Sequence, residues 1–403
     1  MRSSAMRDMM AITARPEIIS LAGGLPDTST FPVNAFVAEM DRIAGGKVPE
    51  VLQYGPTEGL QLVREQITEV MLAEQMHVDV ADVTVTTGGQ QAIDLITKVL
   101  IDPGDILICD APTYPGAIPT FCSYEAEIIQ IESDADGMRI DILEQTLAEL
   151  AERGRKPKFI YSVPTFQNPG GVTLSLERRQ QLVAIARRHE ILIVEDNPYG
   201  LLRYEGEALP TLYALDGGAY VVYLGTFSKI LSAGLRIGWV VAPPPIREKI
   251  VLGKGASDLC TSTLTQDFAG EYFKKGNWQA YVDDLIDIYR SRRDAMVGMN
   301  AVVMDEAEVG EFAIVAASAF VRAGMKIPPR TLVAGVPGKV VRDLTDAEMA
   351  WKHDGTLVYQ HLVGRCHASL VETAPLASAD PARPRLTAEA CGMDVKPLVA
   401  TKR

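Results

Sequence analysis

Tyr220–Val241, YVVYLGTFSKILSAGLRIGWVV, is the stretch from which the fold is read. Its apolar run Tyr220–Leu224 predicts a buried strand of a parallel sheet. The run stops at Gly225, and Ser228 and Lys229 follow at once. Small residues come next, Ser232, Ala233 and Gly234, then Arg236 ahead of a second apolar run, Ile237–Val241. An amine, a hydroxyl and a guanidinium therefore gather at the carboxyl end of a buried strand, the edge of an open α/β sheet where ligands sit. The amine suits a Schiff base with an aldehyde, and the other two suit a phosphate. Pyridoxal 5′-phosphate carries both groups.

Composition narrows the class. The chain has 403 residues, enough for two or three domains, with 47% hydrophobic and 23% charged residues, as in globular proteins. A formal net charge of -13 argues against a nucleic-acid partner. Five cysteines without a C-x-x-C pair fit reduced thiols, and no signal peptide or membrane-spanning run is apparent, so a cytoplasmic enzyme is expected.

Outward from the opening stretch, strands and helices alternate. Val83–Thr86 reads as a strand running into Gly88-Gly89-Gln90-Gln91 and a helical pattern over Ala92–Leu100. A glycine turn opening a helix bares backbone N–H groups at the positive end of the helix dipole, which suits a phosphate. Further strands are expected at Asp105–Cys109, near Glu127–Ile131, at Lys158–Val163 and at Ile191–Val194. Tyr114, Asn168 and Asp196–Tyr199 then lie, like Gly88-Gly89 and Ser228-Lys229, just past the carboxyl ends of strands. A lone Ser-Lys after a strand is most often a solvated loop, but five loops converging on one edge with a carboxylate, an amide, two phenols and an amine are not. The predicted architecture is α/β, a mostly parallel sheet of about seven strands with helices on both faces.

With these residues in place, the chain resembles the fold-type I, class I/II pyridoxal-phosphate aminotransferases, in particular those acting on 2-aminoadipate and other large or branched amino acids. The motifs TTGGQQAIDL, APTYPGA, QNPGGVTLS, EDNPYGLLRYEGE and LGTFSKILSAGLRIGW carry the likeness over residues 1–296. The resemblance implies transamination between an amino acid and a 2-oxo acid. It implies that Lys229 forms the Schiff base and shuttles the proton, and that Asp196 pairs with the pyridine nitrogen. Tyr199 and Asn168 would bond the cofactor's phenolate oxygen, and Tyr114 would stack on its ring. Gly88, Gly89, Gln90, Ser228 and Arg236 would hold its phosphate. Tyr54 resembles a tyrosine that reaches the neighbouring subunit's phosphate, which implies a homodimer. Gly24 falls where the family's N-terminal arm borders the substrate, and Asn168 also faces it.

Beyond residue 296 the pattern changes. Val297, Val303, Val309, Val315, Val321, Ile327 and Val333 recur every six residues, the sign of a parallel β-helix whose branched side chains fill a narrow core. VGMNAVVMDEAEVG, AGVPGKVVRDLTDAE and YQHLVGRCHASL resemble the end of hexapeptide-repeat, γ-carbonic-anhydrase-like proteins of phenylacetate degradation. Asp343–Asp346 is expected to cap a helix, and the tail after Ala374 to be loosely ordered. The family's metal-binding histidines belong to coils absent here, and His353, His361 and His367 match no ligand motif, so no metal is expected. The expected organisation is an N-terminal arm over 1–45, a cofactor-binding large domain over 46–296, a left-handed β-helix fragment over 297–340 and a helical, partly disordered tail over 341–403. The aminotransferase arginine that grips the substrate α-carboxylate has no counterpart motif. Two alternatives to a working transaminase are therefore kept: a chimera that binds the cofactor with little or no turnover, and a hexapeptide-repeat acyltransferase or hydrolase.

Overall fold

The computed structural model describes residues 26–276, 278–293, 296–297, 302–303, 307–316 and 319–350. Gly24, most of the expected N-terminal arm, the histidines at 353, 361 and 367, and the tail from 351 lie outside them. The chain divides into two compact units, Met1–Asp287 and Ile288–Arg403.

The first unit is built on strands β1 (Val83–Thr86), β2 (Ile106–Ala111), β3 (Glu127–Asp134), β4 (Gly137–Met138), β5 (Phe159–Ser162), β6 (Leu192–Asp196), β7 (Val221–Thr226) and β8 (Gly238–Val241). They form one eight-stranded sheet in the order β1-β8-β7-β6-β5-β2-β3-β4. β3-β2-β5-β6-β7 pair parallel, whereas β8 runs antiparallel to both β7 and β1. The eighth strand is the two-residue β4, antiparallel to the end of β3, a pairing too short to leave a pattern in the sequence.

Side chains alternate across each strand, and the alternation feeds two cores. Leu107, Phe159, Tyr161, Val194, Val222 and Leu224 join helix residues such as Ile93, Ile96 and Phe121 on one face. Ile108, Ile160, Ile193 and Val221 join Leu143, Leu147, Leu182 and Ile185 on the other. Both faces of the central strands are thus covered by helices, which is why these strands read as unbroken apolar runs.

Two boundaries differ from those read in the sequence, and both matter for the site. The helix after β1 begins at Gly88 and runs to Leu100, four residues earlier than the Ala92 start expected. Its glycines are its first turn. Asp196 is the last residue of β6, paired with Leu224 of β7, and so is gripped by the sheet instead of lying in the loop beyond it.

In the second unit, two-residue strands pair parallel at a constant offset. Val303 pairs with Val321, Val309 with Ile327 and Val315 with Val333, in each case 18 residues apart. Val315, Val321, Ile327 and Val333 are buried together with Ala313 and Ala319. Thr331–Ala334 then meets Lys339–Asp343 in an antiparallel pair. A short helix over 346–350 follows. Thr345 and Glu348 cap it reciprocally: the Thr345 N–H donates to the Glu348 carboxylate at 3.0 Å, and the Glu348 N–H to the Thr345 hydroxyl at 3.3 Å.

Candidate active site

The side of the site at which the sequence predicts a phosphate is a turn made where β1 becomes the Gly88–Leu100 helix. Gly88 has φ +75°, and a Cβ there would meet the Arg236 guanidinium at 2.3 Å, so only glycine admits the arginine. Arg236 itself is in the left-handed region, φ 55°, a conformation costly for a side-chain-bearing residue and held where a structure needs it. Its Nη2 donates to the Thr87 carbonyl at 3.2 Å. Because β8 is antiparallel to its neighbours, Arg236, two residues before its first strand position, comes to the same edge as the residues after the parallel strands. Ser228 is fixed by Thr226: the Thr226 hydroxyl bonds the Ser228 hydroxyl at 2.9 Å and accepts the Ser228 N–H at 3.1 Å. No side chain caps the Gly88–Leu100 helix, so the first-turn N–H groups face outward from an uncapped positive end. Gln90 contributes to that end by its backbone alone. Its side-chain amide is engaged with the Gly116 carbonyl and the Thr120 hydroxyl at 3.0 and 2.8 Å.

The other side is an acid and an amine. Asp196 is buried, and its Oδ2 accepts the Tyr161 hydroxyl at 2.6 Å. Burial pushes its carboxyl up to about 6, against the opposing pull of Tyr161 and the Lys229 charge. Lys229 is shifted the other way: burial lowers its ammonium, and Asp196 partly restores it. Burial disfavours the charge on each group, and each favours the other's charge. The Lys229 Nζ lies 5.5 Å from the centre of the Tyr199 ring. The Tyr199 hydroxyl lies 3.5 Å from the Asn168 amide, and burial pushes its phenol up to about 12, so it is a donor at neutral pH. Tyr114 is held protonated by burial first and then by the Asp196 charge, with Arg236 opposing.

Tyr114, Asn168, Asp196, Tyr199 and Lys229 are thus near neighbours, and Gly88, Ser228 and Arg236 form the turn beside them. Tyr54 is 78% exposed in the single chain. Sequence reasoning missed Tyr161, which stands within an apolar strand and carries no motif. The one available signal was parity: Tyr161 sits on β5 opposite Val194, whose side chain shares a face with Asp196 two residues on. It also missed the polar cluster of Thr87, Gln91, Lys254, Asp258 and Thr261 beneath the turn.

Comparison with known proteins bears on this arrangement. The family model for aminotransferase class I and II matches residues 16–308. The chain is 42% identical over 298 residues to aromatic-amino-acid aminotransferase 1 of Thermococcus litoralis, covering 74% of this chain and 72% of that one. It is 36% identical over 300 residues to 2-aminoadipate transaminase of Thermus thermophilus, covering 73% and 72%. Among solved structures, kynurenine aminotransferase of Pyrococcus horikoshii is similar with a TM-score of 0.69 at 42% identity, over 73% of each chain.

The burial of Asp196 has a measurable consequence. Its folded value, about 6, lies above the roughly 3.9 of an unfolded aspartate, so its contribution to stability is present at low pH and is lost as pH rises through about 6. The unfolding free energy of the cofactor-free protein relative to Asp196→Asn is expected to fall by on the order of 3 kcal/mol between pH 4 and 7. Urea denaturation of both proteins across that range measures it. A difference that stays flat would show that Asp196 is not driven by burial.

Proposed function

The chain belongs to the class I and II aminotransferases, and from that premise we propose that it transaminates large amino acids of the aromatic, 2-aminoadipate or branched kind. It is a pyridoxal-phosphate-dependent aminotransferase, exchanging an amino group between an amino acid and a 2-oxo acid. The side-chain class rests on the names of its relatives, which act on aromatic amino acids, 2-aminoadipate and kynurenine.

The residues present fit the cofactor. A buried carboxylate raised to about 6, with a phenol as its bonded partner, accommodates a cationic ring N–H, which would draw it back to the ionised form. The uncapped helix start, the arginine admitted by Gly88 and the oriented Ser228 suit a phosphate dianion. When bound, pyridoxal phosphate supplies a ring that takes up the electron pair left as the substrate's α-proton departs. Lys229 is the amine that binds the aldehyde and moves the proton at the substrate's α-carbon. Asp196 keeps a proton on the ring nitrogen, and Tyr161 keeps Asp196 aimed at it. Tyr199 and Asn168 would donate to the phenolate oxygen, Tyr114 would cover the ring, and the Gly89 and Gln90 N–H groups with Ser228 and Arg236 would hold the phosphate. Asn168 would lie between substrate and cofactor; Gly24, expected to border the substrate, lies outside the described residues. The convergence of Asp196 and Lys229, both shifted by burial and each drawn back by the other's charge, is the observation that carries these assignments.

The active unit is a homodimer in this reading. Val33, Phe36, Val37, Leu52 and Tyr54 are 64, 44, 52, 69 and 78% exposed, a run of apolar surface of the kind that a second copy covers. Tyr54 projects there toward the neighbouring subunit's phosphate. The repeating parallel pairs at 18-residue offsets support reading 297–340 as hexapeptide-type β-helix coils. A second reading, weak turnover, follows from the extent of the family match, which ends at residue 308. A substrate carboxylate without its bidentate arginine would lose on the order of 2–5 kcal/mol of binding.

Three measurements test this. Lys229→Ala should lose the visible absorbance band of the cofactor-loaded protein, and a band that survives would displace Lys229 from its role. Added 2-aminoadipate, phenylalanine or leucine should bleach that band, with half-saturation in the millimolar range if the carboxylate is under-bound; bleaching by alanine but by none of these would overturn the side-chain assignment. Light scattering should give twice the chain mass, and Leu52→Asp should shift it toward the monomer; a wild-type monomer that turns over substrate would refute the dimer.

A further inference from the structure

Beside the turn at Gly88 lies an ion pair, its lysine buried and its aspartate half-buried, that the reaction scheme does not use. Lys254, in the helix Pro244–Ser257, is 0% exposed. Its ammonium donates to both carboxylate oxygens of Asp258 at 2.8 and 2.9 Å, to the Thr261 hydroxyl at 3.0 Å and to the Gln91 side-chain oxygen at 3.3 Å. Asp258 Oδ2 also accepts from the Gln91 amide at 2.6 Å and from the Thr87 hydroxyl at 3.1 Å. The Thr87 N–H donates to Gln91 Oε1 at 2.7 Å, and the Thr87 carbonyl accepts from Arg236. Thr87 is thereby held by its amide, its hydroxyl and its carbonyl at once.

Thr87 is the N-cap residue of the Gly88–Leu100 helix. A threonine at an N-cap ordinarily accepts, through its side-chain oxygen, the N–H of the second or third helical residue. Here those residues are Gly89 and Gln90. They are the two whose N–H groups are assigned to the cofactor phosphate, so the strongest local competitor for the phosphate is the chain's own threonine. Its hydroxyl is instead turned to Asp258, and the helix is left without a side-chain cap. A lone carboxylate beneath an anion site would repel the anion. Lys254 neutralises it, and for that reason the hydroxyl can be drawn away by an acid without a charge penalty to the phosphate.

We propose that the Lys254–Asp258 pair, acting through Gln91 and the Thr87 hydroxyl, is a positioning device that keeps the Gly89 and Gln90 N–H groups uncapped for the cofactor phosphate. This rests on the phosphate assignment made above. The pair, Thr87 and Gln91 touch neither the ring nor the substrate.

The test compares pyridoxal 5′-phosphate with pyridoxal, which lacks the phosphate, by titrating cofactor-free protein and following the visible band. The double variant K254M/D258L replaces the pair by apolar side chains, a change that buried pairs tolerate. It frees the Thr87 hydroxyl to cap the helix. Its dissociation constant for pyridoxal 5′-phosphate should rise by on the order of tenfold, while that for pyridoxal stays within about twofold. Adding T87V, which removes the competing hydroxyl, should restore phosphate-dependent affinity. Equal losses for both ligands, or no recovery in the triple variant, would overturn the proposal, since a merely structural pair would be worsened, not rescued, by a third substitution. If the double variant shows no cooperative unfolding transition, K254Q/D258A, which likewise removes both charges and the acceptor of the Thr87 hydroxyl, gives the same reading with and without T87V, and absence of recovery there is equally fatal. A wild-type protein that binds both ligands alike would instead refute the phosphate assignment, and this inference with it.

Discussion

A buried carboxylate and a half-buried amine within electrostatic reach of each other are the constraint on which the site depends. Away from water each resists its charged form: Asp196 is raised toward neutrality and Lys229 is lowered toward it. Mutual attraction opposes both shifts, and two groups perturbed in opposite directions beside one another are the kind of pair that acid–base work uses. The pairing needs rigid supports, and the strands provide them. Asp196 is the end of β6, clamped between β5 and β7, and its bond from Tyr161 comes from the strand next door. Lys229 follows β7 immediately, in a tight helical turn over Ser228–Ser232.

The phosphate turn obeys a different constraint, that of backbone. Its donors are N–H groups at a helix start, so what must be controlled is the path of the chain and the absence of a cap. Gly88 at positive φ, Arg236 in the left-handed region and the antiparallel course of β8 bring a guanidinium against that turn from a strand whose neighbours run the other way. Gly238 serves the same end, since a Cβ there would meet the Gly88 and Gly89 backbone at 2.6 and 2.8 Å. Two glycines and a strained arginine are the local cost of the close approach.

Much of this was legible from residue order, and the rest was not for identifiable reasons. The parallel strands announce themselves because both faces are buried, and the converging loops follow from the rule that ligands meet the carboxyl ends of such strands. Adjacent acids were harder. Glu195 and Asp196 look alike in the chain, yet strand parity sends them to opposite faces. Glu195 accepts the Leu212 and Tyr213 N–H groups at 2.9 and 2.8 Å and anchors a helix start, whereas Asp196 faces the amine. Gln90 was read as a phosphate ligand without distinguishing backbone from side chain, and its amide is engaged elsewhere. The Lys254–Asp258 pair was invisible because its partners are separated from Thr87 by 167 and 171 positions, a proximity created only when the sheet brings the two segments together.

The second unit shows the opposite balance. A coil that stacks on copies of itself needs the same kind of side chain at the same place in every turn, so its period is written directly in the sequence. Val303 with Val321, Val309 with Ile327 and Val315 with Val333 are three parallel pairs that share one 18-residue offset. Such a stack depends on neighbours in sequence, whereas the aminotransferase sheet depends on contacts between distant segments. A six-residue period can therefore be read from a short stretch with no other information, while the converging edge of the sheet became readable only from five separate strand ends taken together.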